Sequence, residues 1–314
     1  MNFLLGSPKV VTATEAARVQ ASKEDPAHHD AYTRLLHRLE PEAHVLWEEA
    51  KGHVSLGEGI LVLDDTTLDK PYAKHIDLVT RHWSGKHKEV VLGINLITLL
   101  WTDGDRHIPC DYRLYDKDND GLSKNDHFTA MLKVAKERGF SPSCVVFDSW
   151  YSSLENLKEV RDLGWNFLTR LKENRTVSIH PHEHVAVRDL PVSEQGTRVH
   201  LKGYGFILVF KLVATKGDVE YWATNDLLLD DLNRIKYAQY AWTIENYHRG
   251  IKQFCGIERA QVRAGRAQRN HIGLSLRAFL RLERFSYQSG FSWFEAKWSI
   301  IRPAVQAFMI NPFF

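Results

Sequence analysis

Two apolar runs, Ile60-Leu61-Val62-Leu63 and Cys144-Val145-Val146-Phe147, each end on an aspartate, Asp64 and Asp148. Runs apolar at every position read as buried strands. A carboxylate at the end of such a strand is costly to desolvate unless a cation or a hydrogen-bond donor compensates it. An aspartate after a strand is most often a turn former or a helix cap. Here, however, Asp64 is followed at once by Asp65-Thr66-Thr67, and a long helical segment downstream carries Glu245. Two strand-end aspartates and a helix-borne glutamate are what a chain needs to hold a divalent metal against a phosphodiester.

The order of elements supports a layered α/β fold. Residues 1 to about 50 read as helical, with Tyr32, Leu35, Leu36, Leu39 and Leu46 at loose helical spacing. Strands are expected at 60–64, 90–100 and 108–114, then a helix over 128–135 closed by Gly139. Strand 144–148, helix 152–163 closed by Gly164 and strand 165–169 follow, an order suited to a mixed sheet with helices on both faces. Residues 175–225 change character: short β-branched and aromatic runs alternate with Gly, Pro and polar turns, as in a small β-rich insertion. Helices over 230–253 and 270–288 come next. The expected organisation is a helical N-terminal segment (1–55), a core (56–174 and 226–290) split by the insertion (175–225), and a C-terminal tail (291–314), with both terminal segments helical.

Composition narrows the class. The net charge of +2 is too small to argue a nucleic-acid partner from bulk charge. Local clustering says more, because Arg259, Arg263, Arg266 and Arg269 fall close together with Lys252 upstream. Cys110, Cys144 and Cys255 are too scattered for a disulfide framework or a paired zinc motif. Met1–Gly6 lacks the basic region of a secretory signal, and no apolar stretch reaches membrane-spanning length, so a soluble cytoplasmic protein is expected.

Two segments imitate metal sites. Asp116-Lys117-Asp118-Asn119-Asp120-Gly121 matches the first half of a calcium loop, but His127 stands where the bidentate glutamate belongs, so it reads as a solvated loop. His180-Pro181-His182-Glu183-His184 clusters imidazoles without a further ligand to close a tetrahedral site and reads as a turn. Lys252 differs from these. It follows Glu245 by two helical turns, so the two share a face, and Trp242 lies on that face too, where it would pack the helix on the sheet.

At four segments the chain resembles the DDE transposases of bacterial insertion sequences. They are Leu63-Asp64-Asp65-Thr66-Thr67-Leu68-Asp69-Lys70, Val146-Phe147-Asp148-Ser149-Trp150-Tyr151-Ser152-Ser153, Trp242 through Lys252, and Ala267-Gln268-Arg269-Asn270-His271-Ile272. The first alone is weak; the ordered set, spanning about 60–288, is specific. The resemblance implies an RNase H-like catalytic core with a β-rich insertion, and metal-dependent cleavage at element ends followed by strand transfer into target DNA. It implies Asp64, Asp148 and Glu245 as catalytic residues holding Mg²⁺ (Mn²⁺ as a substitute), with Asp65 a further candidate ligand. Both aspartates satisfy an Asp-x-Thr reading; Asp64 is favoured and Asp65 stays open. Lys252, Arg259, Arg263, Arg266 and Arg269 would contact DNA, and a homodimer on DNA is implied. One departure stands out. Related transposases carry Tyr-x2-Arg-x3-Glu-x6-Lys around the last acid, whereas here the Tyr and Arg positions are Ala238 and Ala241. The alternative readings are a catalytically inactive, transposase-derived DNA-binding protein, or a metal-dependent nuclease without strand transfer.

Overall fold

The computed structural model describes residues 1–20, 24–84, 88–180, 183–213 and 217–312. Pro181 and His182 of the histidine cluster lie outside the described residues. Four helices open the chain: α1 (Asn2–Gly6), α2 (Ala13–Arg18), α3 (His29–Arg38) and α4 (His44–Ala50). Then come β1 (Ile60–Asp69), β2 (Thr80–Ser84), β3 (Glu89–Thr102), β4 (His107–Tyr115) and α5 (Lys124–Glu137). The chain continues through β5 (Cys144–Phe147), α6 (Leu154–Asp162) and β6 (Phe167–Leu171), then β7 (Thr176–Ser178), β8 (Val185–Ala186), β9 (Thr197–Leu201), β10 (Gly205–Val213) and β11 (Val219–Thr224). Helices α7 (Asp231–Phe254), α8 (Gly265–Ser289) and α9 (Trp293–Ile310) complete it.

The fold class is the expected one, a mixed sheet flanked by helices. The strands run β2-β3-β1-β5-β6-β11-β10-β9-β7-β8, with β4 also on β3. At the centre, β1, β5 and β6 are mutually parallel, while β3 and β11 flank them antiparallel. The two apolar runs fill this centre, and every residue from Ile60 to Leu63 and from Cys144 to Phe147 is buried, as parallel strands covered on both faces must be. Residues 175–225 do not stand apart: β11 hydrogen-bonds to β6, so the added strands prolong the core sheet.

Local chemistry sets the helices. A capping box between Ser123 and Asp126 starts α5, and Gly139, at φ +87°, ends it in a conformation that a side chain would strain. Ser153 caps α6 by accepting from the Asn156 N–H. Helix α5 packs on β3, β4 and α6, and α7 packs on β1, β5 and β6. Beneath α5, Phe128 meets Phe147 at 5.0 Å and stacks on Tyr151 at 5.4 Å.

The C-terminal segment is helical, as expected, and α9 packs on the body. Its buried Lys297 donates to the carbonyl oxygens of Leu4 (3.1 Å), Ser7 (2.8 Å) and Phe254 (3.1 Å), joining α9 to the ends of α1 and α7. An ammonium at helix C-termini satisfies the carbonyls left without intrahelical partners.

Candidate active site

The parallel register aligns the site. Leu63 of β1 lies beside Phe147 of β5, and Phe147 lies beside Thr169 of β6. One residue further along each strand come Asp64, Asp148 and Arg170, and Arg170 is directly opposite Trp222 of β11. With neighbouring strands about 4.8 Å apart, these four side chains form a row across one face of the sheet. Helix α7 lies over that row. A cavity of about 200 Å³, partly open to solvent, lies between them, lined by Asp64, Asp148, Arg170, Trp222, Trp242 and Glu245 and by Ala238 and Ala241. A larger cavity, about 810 Å³, opens between α7, α8 and α9 but contains none of these carboxylates.

Inside the small cavity negative charge is crowded. Burial, the adjacent Asp65, and then Glu245 and Asp148 hold the Asp64 carboxyl well above the usual carboxylate range, against one opposing hydrogen bond from the Asp65 backbone. Asp148 and Glu245 are exposed. Among the described residues no three His, Cys, Asp or Glu side chains converge closely enough to hold an ion as they stand. The three carboxylates share the cavity walls without meeting at a point. Their chemistry nevertheless fits a hard divalent cation, because all donors are oxygens and their mutual repulsion falls when a cation lies between them.

Asp65 points the other way, since successive side chains on a strand alternate. Its carboxylate accepts from Asn95 Nδ2 (2.6 Å), Lys124 Nζ (2.7 Å) and the Tyr151 hydroxyl (2.8 Å). Burial opposes its ionisation, but Lys124 and these donors outweigh it and leave the pKa lowered. The structure therefore brings Asp64, Asp148 and Glu245 to one cavity and turns Asp65 into a saturated network behind it.

Lys252 lies on the same helix but is engaged elsewhere. Its ammonium donates to the Thr67 carbonyl at 2.7 Å and pairs with Glu258 at 3.4 Å. The following basic loop is fastened to the end of β1: buried Lys70 donates to the carbonyls of Glu258 and Ala260, both at 2.7 Å, and burial pushes its pKa down to about 8. Arg259 and Arg263 are exposed on this loop. Arg266 instead donates to the carbonyls of Leu39 (3.0 Å) and Arg38 (3.3 Å) and pairs with Glu40, closing the end of α3. Arg269 is half-buried.

The calcium-like loop is closed by its own side chains: Asn119 donates to Asp116 at 3.0 and 3.1 Å, and His127 meets Asp120 at 3.1 Å. Sequence reading missed Arg170 and Trp222. Their place follows from the pairing of β6 with β11, which no local pattern in the sequence announces.

Against known families, residues 9–204 match the model of the DDE superfamily endonucleases, and residues 122–292 match that of the archaeal transposase ISC1217. The chain belongs to the DDE transposases. Among solved structures, this transposase is similar over its whole length to 71% of the piggyBac transposase chain in a cryo-EM synaptic complex with hairpin DNA, at TM-score 0.54 and 10% identity. At that identity the likeness is one of fold. No curated protein sequence matches significantly.

Proposed function

We propose that the chain cleaves DNA at the ends of a mobile element and joins the freed end to target DNA, with Asp64, Asp148 and Glu245 as its catalytic carboxylates. The observation that carries this reading is the cavity shared by the three acids, two from adjacent parallel strands and one from the helix above them. The relative of similar fold was solved on hairpin DNA, which supports DNA as the partner. A homodimer on DNA is part of the same proposal, as is a cytoplasmic location; no helix among the described residues is long and apolar enough to cross a membrane.

Asp64, Asp148 and Glu245 would hold Mg²⁺, with Mn²⁺ as a substitute of like preference for oxygen. When bound, such ions lower the pKa of water and neutralise charge on attacking and leaving oxygens. The protein's own part is positional. Lys252, fixed on the Thr67 carbonyl, keeps α7 in register over β1 and so keeps Glu245 above Asp64. Arg259 and Arg263 bind backbone phosphates, and the exposed Trp150 and Trp242 offer faces for unpaired bases.

The test is cleavage of duplexes made from the DNA flanking this gene, with and without Mg²⁺, by the wild type and by Asp148→Ala. Cleavage should require the ion and disappear in the variant, with DNA binding retained. Joined products separate strand transfer from hydrolysis alone. Equal cleavage by variant and wild type would overturn the assignment.

A further inference from the structure

The carboxylate cavity has a single cationic wall, and it comes from the sheet. Helix α7 contributes Ala238, Ala241, Trp242, Ile244 and Glu245 to the lining, none of them basic. A phosphate drawn toward three carboxylates meets repulsion from every other ionised group there. Arg170 is the exception, and two neighbours guide its guanidinium. Its guanidinium lies over the ring of Trp222, its direct cross-strand neighbour, at 5.2 Å, and its Nη1 is 3.2 Å from Glu220. Glu220 in turn accepts from the Trp222 indole N–H at 3.0 Å. An arginine has five N–H donors in a planar fork, so one contact with Glu220 leaves the rest for a second anion. Register puts Arg170 one strand from Asp148, on the same face.

We infer that Arg170 binds the DNA phosphate presented to the carboxylate cavity, and that Glu220 and Trp222 are positioning residues that aim its guanidinium. The inference rests on the DNA-cleaving reading above and adds to it the group that orients the reacting phosphodiester. A bidentate guanidinium holds a phosphate in one orientation, which an ammonium does not.

The experiment maps the bond cut by the wild type in flanking-DNA duplexes, then replaces that one phosphate with a neutral methylphosphonate. Duplex affinity is read by fluorescence anisotropy for wild type, Arg170→Ala, Arg170→Lys and Glu220→Gln, with thermal melting as a check on folding. The wild type should lose about tenfold in affinity when the phosphate is neutralised, the size of a charge-assisted hydrogen bond. Arg170→Ala should bind the normal duplex about tenfold more weakly and be indifferent to the methylphosphonate. Arg170→Lys and Glu220→Gln should retain part of the sensitivity. Full sensitivity in Arg170→Ala would overturn the inference and reduce the side chain to a clasp between β6 and β11. If that variant does not fold, full sensitivity in both Arg170→Lys and Glu220→Gln overturns it equally. A wild type that cuts no duplex removes the DNA-cleaving reading and this inference with it; a wild type that cuts, with sensitivity unchanged in the variants, removes this inference alone.

Discussion

Asp64 and Asp65 are adjacent, chemically identical and placed on opposite faces of β1, and their surroundings could hardly differ more. Asp65 is saturated by an ammonium, an amide and a phenol. Burial and its neighbour push the Tyr151 phenol well above its usual range, so it stays a donor. Asp64 faces other acids across a cavity, with one backbone N–H to favour its charge. One carboxylate has been given everything it needs within the fold, and the other has been left in want of a cation. On the function proposed above, that contrast is what separates a structural acid from a catalytic one, more sharply than their shared burial does.

The largest expected effect breaks the pair apart by activity. Asp64→Asn should lower the cleavage rate by on the order of 10³- to 10⁴-fold, the scale for removing one member of a catalytic set. Stability should hold or rise, because a crowded negative charge disappears. Asp65→Ala should do the reverse. It strands the Lys124 ammonium, whose side chain is only 17% exposed, and should cost about 3 kcal/mol in urea unfolding. Unfolding curves and single-turnover cleavage on both variants decide the matter. If Asp65→Ala kills cleavage at full stability, the two roles are exchanged.

The sequence made one half of this contrast readable. Two apolar runs capped by aspartate identify the central strands, and period-two alternation says that Asp64 and Asp65 point apart. It does not say which face α7 will cover, because that depends on where a helix more than 160 residues downstream comes to pack. Arg170 was illegible for the same reason: its neighbour Trp222 arrives through the strands of 175–225, whose pairing with β6 is a long-range contact. The basic segment was legible as charge but not as geometry. Arg266 looks like Arg263 in sequence, and only the fold shows it spent on the end of α3. The helical character of the C-terminal segment was legible, and the capping box of Ser292 with Glu295 marks its start, but its docking through Lys297 on the ends of α1 and α7 depends on long-range contacts.

A smaller effect sharpens the comparison by pH. His248 is buried on α7, and burial, with Lys252 nearby, pushes its pKa down to about 3, while Asp65 pulls weakly the other way. Its folded pKa lies below the unfolded value of 6.5, so between pH 6.5 and 3 the unfolded chain binds the extra proton. Stability falls as pH falls through that window, by about 1.4 kcal/mol per pH unit. His271, pushed to about 4 by burial, adds a similar slope down to its own value. Asp64 acts in opposition, since its raised pKa means the folded chain takes up a proton as pH falls. Urea unfolding between pH 7 and 5 should therefore give a slope that becomes shallower in His248→Gln and steeper in Asp64→Asn. A slope unmoved by either variant would show that neither group titrates differently in the folded chain.

The smallest effect repeats the contrast in cations. Arg266 is to Arg259 and Arg263 what Asp65 is to Asp64: a charged group already satisfied within the fold, next to others that are not. Arg259 and Arg263 have no side-chain hydrogen bond or ion pair to another described residue, and the loop that bears them is held to β1 by Lys70. Exposed, unpaired guanidinium groups on an anchored loop are free to meet phosphate, and each contact adds about 0.9 to the slope of log affinity against log salt. The double variant Arg259→Ala, Arg263→Ala should therefore flatten that slope by about two and weaken binding to cognate and scrambled duplexes alike. Arg266→Ala should leave the slope unchanged and show its cost in melting temperature instead, because it unfastens α3 from α8 without removing a phosphate contact. Affinity measured across a salt series for the three proteins makes the distinction. A slope that falls equally in the double variant and in Arg266→Ala would mean that the ties to Arg38, Leu39 and Glu40 yield to DNA, and that satisfaction within the fold does not predict which charges are kept from the ligand.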